Sequence, residues 1–367
     1  MKLALPSERF SFDPEELLLK WAKWPIFGVQ FNGYFVLSIT PRKLQSDIES
    51  QEKKGKKSLQ FNFFSIPFIF HLLFLIIFSI LLIWWGNEGF GSFNRLQKLS
   101  SDATILTGYI ICGFVYTIGG RIWGFVSVKQ NLAFWTYQVD KVALITPNLW
   151  DPETVSDLQK KIRTSFTRTV YLLCTVLIML FFNNVILVDI LQISKPSIIS
   201  DSIVTKNGPV LITRLLWVYS YFSFVFFSIW LNFFVKLYAA AVSSIRIELE
   251  GVKISGARIT RLSKTYGVLI KSVDHFNEEM GGRIFLEVGF NLIVMLCSTY
   301  FVIVSAKLGE IGSILMNLIG ALLSVHVLYV YGNDGENLEV ARAKLANLLC
   351  EIEEWEVPWE MGGANKV

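Results

Sequence analysis

The chain holds three histidines and four cysteines in 367 residues, and their spacing decides which chemistry is open to them. His71, His275 and His326 fall in three separate segments, with no His-x-x-His pair, no metalloprotease helix motif and no Cys-x-x-Cys. Metal centres need ligands at short, characteristic intervals, so neither a metal nor a cofactor is expected. Gly119-Gly120 and Gly281-Gly282 lack the Lys-Ser/Thr that completes a phosphate loop. Asn333-Asp334-Gly335-Glu336 starts like a calcium loop, but the remaining ligands do not follow; its expected effect is to loosen the end of the apolar run before it. The chain is read as no enzyme.

Aromatic and neutral polar groups set within apolar runs are the other candidates: Tyr109 and Tyr116, Asn183 and Asn184, Trp217 and Tyr221, Tyr300, and Asn317. Apolar walls with a few placed hydrogen-bonding groups are what a small organic ligand requires. An Asn facing lipid is costly, so Asn183 and Asn184 should point inward. Each of these residues has a plainer reading as glue between helices.

The elements that must position them follow from the charge distribution. Hydrophobic residues make up 53% of the chain and charged ones only 17%, and the charges are bunched. Between them lie six uncharged runs: Ser58–Asn87, Ala103–Gly120, Thr169–Val188, Leu215–Val235, Val288–Ala306 and Ile311–Asn333. Each approaches or exceeds the roughly 20 residues that cross a hydrocarbon core as a helix. An all-α, polytopic membrane protein with six transmembrane helices is expected. Its spans lie near 61–86, 103–128, 169–193, 211–245, 285–306 and 311–333, between an N-terminal segment 1–57 and a tail 334–367. The formal charge of +4 is no nucleic-acid signal, because the basic residues flank the runs without forming a stripe. The four cysteines lie in apolar runs or in the last helix, which implies no disulfide framework.

Lysine and arginine alternate strongly from segment to segment. A cytoplasmic N-terminus places 26 of them inside and six outside, so the positive-inside rule selects that orientation, with a cytoplasmic C-terminus. In this frame the candidate ligand residues occupy the outer halves of the spans. Arg121, Asp189, Arg214, Lys236 and Glu287 all fall near a membrane boundary, where long side chains can snorkel.

Leu17–Phe35, with Trp21, Trp24, Phe27 and Tyr34 around Pro25, is too short and interrupted to span, and an interfacial helix is expected. The loop 129–168, with Phe134, Trp135 and Tyr137, invites the same interpretation. Leu262, Tyr266, Leu269, Val273, Phe276 and Met280 recur at spacings of four and three, and Leu338 through Trp355 repeats the pattern. Such helices either pack together as cytoplasmic extensions of the spans or lie on the lipid surface; their mixed Glu and Lys faces favour packing.

One stretch carries a family likeness. It runs from Leu262-x-x-x-Tyr266 through Val273-Asp274-x-Phe276-Asn277-Glu278-x-Met280-Gly281 into Phe285–Ser305, which contains Ser298-Thr299-Tyr300. Together with Trp24–Gly28 ahead of the first span and the charged, Leu-rich helix Glu336–Glu356, it resembles the arthropod gustatory receptors of the insect chemoreceptor superfamily, which also includes the odorant receptors. The resemblance implies a plasma-membrane, ligand-gated cation channel of four like or unlike subunits, with a small-molecule ligand among the outer halves of the helices and cytoplasmic helices joining the subunits. Members carry a seventh, pore-lining span with Thr-Tyr, five apolar residues and Gln-Phe. Here Thr299-Tyr300 leads to Ala306-Lys307 instead, and the chain stops after Glu356-Val357-Pro358-Trp359 and a short polar tail. A form that does not conduct by itself is therefore expected. An odorant receptor or a small-solute transporter is the alternative, although no repeated halves support the latter.

Overall fold

The computed structural model describes residues 14–41, 57–96, 101–149, 152–181, 210–250, 256–309 and 311–354. Its elements are α1 (Pro14–Phe31), β1 (Leu37–Pro41), β2 (Lys57–Phe61), α2 (Ile66–Leu96), α3 (Ser101–Val126), α4 (Val128–Leu149), α5 (Pro152–Phe181), α6 (Val210–Glu250), α7 (Gly256–Leu308) and α8 (Ile311–Glu354). Each of the six uncharged runs falls, wholly or for most of its length, in its own helix: α2, α3, α5, α6, α7 and α8. The molecule is an all-α polytopic membrane protein, with one small antiparallel strand pair among the described residues, β1–β2, pairing Leu37 with Phe61 and Pro41 with Lys57.

Apolar side chains left outside the fold mark the lipid-facing surface. On α2, Ile66, Ile69, Leu73, Ile76, Ile80 and Ile83 are all exposed at alternating spacings of three and four. Water would penalise such a stripe, whereas acyl chains accept it. Among the described residues, Ser156–Met179, Val225–Glu250 and Arg258–Lys307 contain helices long and apolar enough to cross a bilayer.

The core is built around α6. Between Phe222 and Leu249 this helix is enclosed on nearly every side, with Trp230, Leu231, Phe233, Phe234 and Tyr238 all buried. A helix hydrophobic all round belongs at the centre of a bundle. Phe234 meets Phe134 of α4 at 5.0 Å and Phe276 of α7 at 5.8 Å, which joins three helices through rings. The carbonyl of Ser272 accepts from both Gln138 Nε2 and Tyr238 Oη. Lys236 spans α5, α6 and α8, reaching Ser165 Oγ at 3.2 Å and Asp334 at 3.3 Å. Burial pushes the Asp334 carboxyl above its ordinary range and Lys236 pulls it back. Asp334 therefore closes a buried ion pair inside an unbroken α8, where the sequence had suggested a loosened helix end.

Three further expectations are corrected. The helix expected at the lipid surface, α1, has Leu18, Trp21, Ala22, Ile26 and Val29 fully or almost fully enclosed by protein; it faces outward only along a narrow stripe. The 129–168 region forms α4 and the start of α5, and Phe134 and Trp135 are core residues, each 1% exposed. Arg121 does not snorkel; it is completely buried.

The chain after α1 turns back inside the bundle. Gly33, at φ +70°, ends the helix in the left-handed conformation, with Gly33 N–H donating to Gln30 and Tyr34 N–H to Val29. His71 of α2 bonds the Gly33 carbonyl through Nδ1 at 2.8 Å. Tyr34 then lies in a flat groove on α3 made by Gly120 and Gly124. A Cβ on Gly120 would stand 2.6 Å from the tyrosine ring, and one on Gly124 would strike the Tyr34 carbonyl oxygen. Small residues four apart let two backbones approach in this way. Gly124→Val should cost about 1–3 kcal/mol by overpacking. Thermal unfolding of the detergent-purified chain should show a lower midpoint for that variant, whereas Gly119→Ala, which meets nothing within 4 Å, should leave it unchanged or raised.

Candidate functional site

Two long helices run the length of the molecule. α7 has 53 residues and α8 has 44, which gives rods of roughly 80 and 65 Å. They are joined by a tight turn at Gly309, whose φ of +72° suits glycine. Their register is read from side chains. Ser298 of α7 lies against Gly320 of α8, and eleven residues further along each helix Glu287 lies near Tyr331. The same register sets Tyr300 level with Asn317 near the turn. At the far end it brings Met280 level with Leu338, and Val273 level with Leu345.

A polar cluster occupies the middle of the bundle. Arg121 of α3 donates to the carbonyls of Thr117, at 3.1 Å, and Asn32, at 3.0 Å. Its guanidinium also lies over the rings of Tyr34, Phe78 and Phe74, at 4.8, 4.6 and 5.6 Å. Aromatic faces and carbonyl dipoles stabilise the cation where water is excluded. On the facing helix, Glu287 of α7 is 3% exposed and accepts a hydrogen bond from Tyr116 of α3. The Tyr116 ring stacks on Phe290 with centroids 4.2 Å apart and planes 6° apart. The second carboxylate oxygen, Glu287 Oε2, has no hydrogen-bond partner among the described residues. One turn before Glu287, Arg283 reaches Asn131 Oδ1 at 3.3 Å and also Ser127 Oγ, and lies over the Trp123 ring. Ser127 is the single residue between α3 and α4, and its hydroxyl donates back to the Trp123 carbonyl, a bond that bends helices.

These contacts sort the residues named from the sequence. Tyr116 belongs to the central cluster. It lies level with Glu287 and Phe290, nearly 30 Å along α7 from the Gly309 turn. Tyr300, packed edge-on against Phe301, and Asn317 share a level about 14 Å from that turn. Tyr300 and Asn317 thus share a height along the two helices, and Tyr116 lies at a different one. Tyr109, Trp217 and Tyr221 lie in α3 and α6, where only the helical backbone is described; Asn183 and Asn184 lie outside the described residues. Two of the three histidines pack structurally: His71 bonds the turn at Gly33, and His275 lies between the rings of Tyr137 and Phe134, while His326 is exposed on α8. Among the described residues, no three of His, Cys, Asp and Glu gather as metal ligands.

Sequence reasoning missed Tyr34, Arg283 and Tyr331 as parts of one cluster. It placed Arg121 and Glu287 at lipid boundaries. Glu287 and Arg283 stand four apart on α7, and Gly120 and Gly124 four apart on α3; this spacing was the available signal.

No family model matches the chain, and no curated protein matches it. Among solved structures it is similar to the insect olfactory receptor OR5 from Machilis hrabei, with a TM-score of 0.49 and 12% identity over 92% of this chain and 89% of that one.

The Tyr116–Glu287 bond gives a testable coupling. Tyr116→Phe and Glu287→Gln should each lower unfolding stability, and the double variant should cost less than their sum by about 1 kcal/mol. A thermal or denaturant double-mutant cycle measures that difference. Arg121→Ala, which removes the guanidinium donor from the Asn32 carbonyl and empties a ring-lined space, should cost at least about 3 kcal/mol.

Proposed function

We propose that the chain is a gustatory-receptor-like subunit of a ligand-gated cation channel in the plasma membrane, with a cytoplasmic N-terminus. Small tastant molecules would bind at the outer end of the helix bundle, and the subunit would work in a homo- or hetero-tetramer with other receptor subunits. The observation that carries this reading is the α7–α8 hairpin. Its two unbroken helices connect the level of Tyr300 and Asn317 to the inner bundle sealed by Met280, Phe276 and Leu345. A ligand that favours one arrangement at the outer end shifts a rigid lever, and the packed inner end follows. The motifs shared with the gustatory receptors lie on this same α7 helix, from Leu262 to Ser305.

In this reading Tyr300 and Asn317 hydrogen-bond the ligand, with Tyr109, Asn183, Asn184, Trp217 and Tyr221 as further candidates from the same half of the spans. Tyr116 acts one level deeper, on the transmission path. An odorant receptor shares every feature of this argument and differs only in the ligand class. The buried Arg121 and Glu287 favour one further reading, a small-solute transporter, because ionisable groups inside a bundle often line ion paths.

Cells co-expressing the chain with receptor subunits should show cation currents to a panel of sugars, bitter compounds and odorants. Tyr300→Ala and Asn317→Ala should raise the half-maximal concentration at least tenfold at equal surface expression. Uptake of labelled solute driven by a proton or sodium gradient, without agonist-dependent current, would establish the transporter instead. An extracellular N-terminal tag would place the Tyr300–Asn317 level on the cytoplasmic side and overturn the pocket assignment.

A further inference from the structure

α1 is enclosed by protein except along one narrow stripe: Glu16, Lys20, Lys23, Phe27 and Phe31. Along it the exposed side chains change from charged to aromatic between Lys23 and Phe27, the latter 52% exposed. The neighbouring α5 makes the same change. Lys160, Lys161, Arg163 and Arg168 are exposed, and the next exposed large side chains are Tyr171, at 70%, and Leu172.

The two steps adjoin, that of α1 beside Phe166 and that of α5 about one turn further along, between Arg168 and Tyr171. Phe166 of α5 touches both Trp24, with ring centroids at 5.2 Å, and Phe27, at 6.3 Å. Arg163 sits one turn before Phe166, as Lys23 sits one turn before Phe27. Two adjacent helices therefore carry basic side chains up to the start of an apolar surface, Lys23 one turn before the bare Phe27 on α1 and Arg163 and Arg168 before the bare Tyr171 on α5. Of the acidic groups exposed nearby, Asp157 is already paired with Lys161 at 2.7 Å, and Glu16 lies one turn beyond Lys20, away from the step. Cations at the edge of an apolar surface match a phosphate with acyl chains beneath it.

We infer that the α1–α5 step is a binding site for an anionic phospholipid, with Lys23 and Arg163 on the headgroup and Phe27 and Phe31 against its chains. This does not rest on the receptor reading, since a transporter of the same fold would carry the same site. It also gives the outward stripe of α1 an occupant.

The test is native mass spectrometry of the full chain in detergent with equal amounts of phosphatidylserine and phosphatidylcholine. The wild type should carry phosphatidylserine adducts with a preference of roughly fivefold to tenfold. Lys23→Gln with Arg163→Gln should bring the ratio close to one, while Lys264→Gln, on a distant exposed part of α7, should leave it unchanged. Raising the salt to about 0.5 M should reduce the wild-type preference, a measurement that needs no variant. Equal adducts of the two lipids in the wild type, a preference insensitive to salt, or one retained in the double variant would each overturn the inference.

Discussion

A fully buried guanidinium constrains this fold more than any other single group. Arg121 sits where water cannot follow, so its charge must be met by protein, and its partners come from three parts of the chain. The carbonyl of Asn32 lies at the end of α1, that of Thr117 in α3 itself, and the rings of Phe74 and Phe78 in α2. Leaving such a cation unmet would cost several kcal/mol, which makes the inward turn after α1 a condition for burying it. Gly33 supplies the sharp reversal, and Gly120 with Gly124 supplies room for Tyr34 beside it. Charge, turn and groove each require the other two.

The same economy recurs on the facing side of the cluster. Glu287 and Arg283 lie on one helix and are answered by α3, by the Ser127 break and by α4. Polar groups at this depth act as registry pins, since sliding α3 against α7 by one turn would separate Tyr116 from both Glu287 and Phe290. Away from the cluster, α7 and α8 meet through small and apolar residues such as Ser298 against Gly320, which let the helices lie close. The central polar layer therefore decides which residues meet, and the long helices carry that decision to both ends.

Much of the architecture was legible in the chain. Six uncharged runs became six helices because a bilayer accepts nothing else of that length and composition. The seam from Leu262 to Met280 packed as its spacing required, and of the two arrangements open to it the packed one was realised. What escaped was everything decided by partners distant in sequence. Trp21, Phe134 and Trp135 carry the composition of interfacial aromatics, yet α6 offered them a protein surface in place of a lipid one. Arg121 read as a boundary charge because its compensating groups are backbone carbonyls and ring faces, which leave no ionic signature in a sequence. The strand pair β1–β2 went unnoticed because its two strands of five residues are separated by a polar stretch. The common height of Tyr300 and Asn317 depends on the register across the Gly309 turn, which periodicity alone does not supply.

The joint at Ser127 has a mechanical consequence. α3 and α4 are nearly one rod interrupted at a single residue, and the hydroxyl there is gripped by Arg283 from the opposite helix. α4 extends 22 residues beyond the joint, so a bend of about 5° moves its tip by about 3 Å. The joint thus ties the direction of α4 to the position of Arg283, and the buried Phe134 and Trp135 anchor the same helix against α6 and α7.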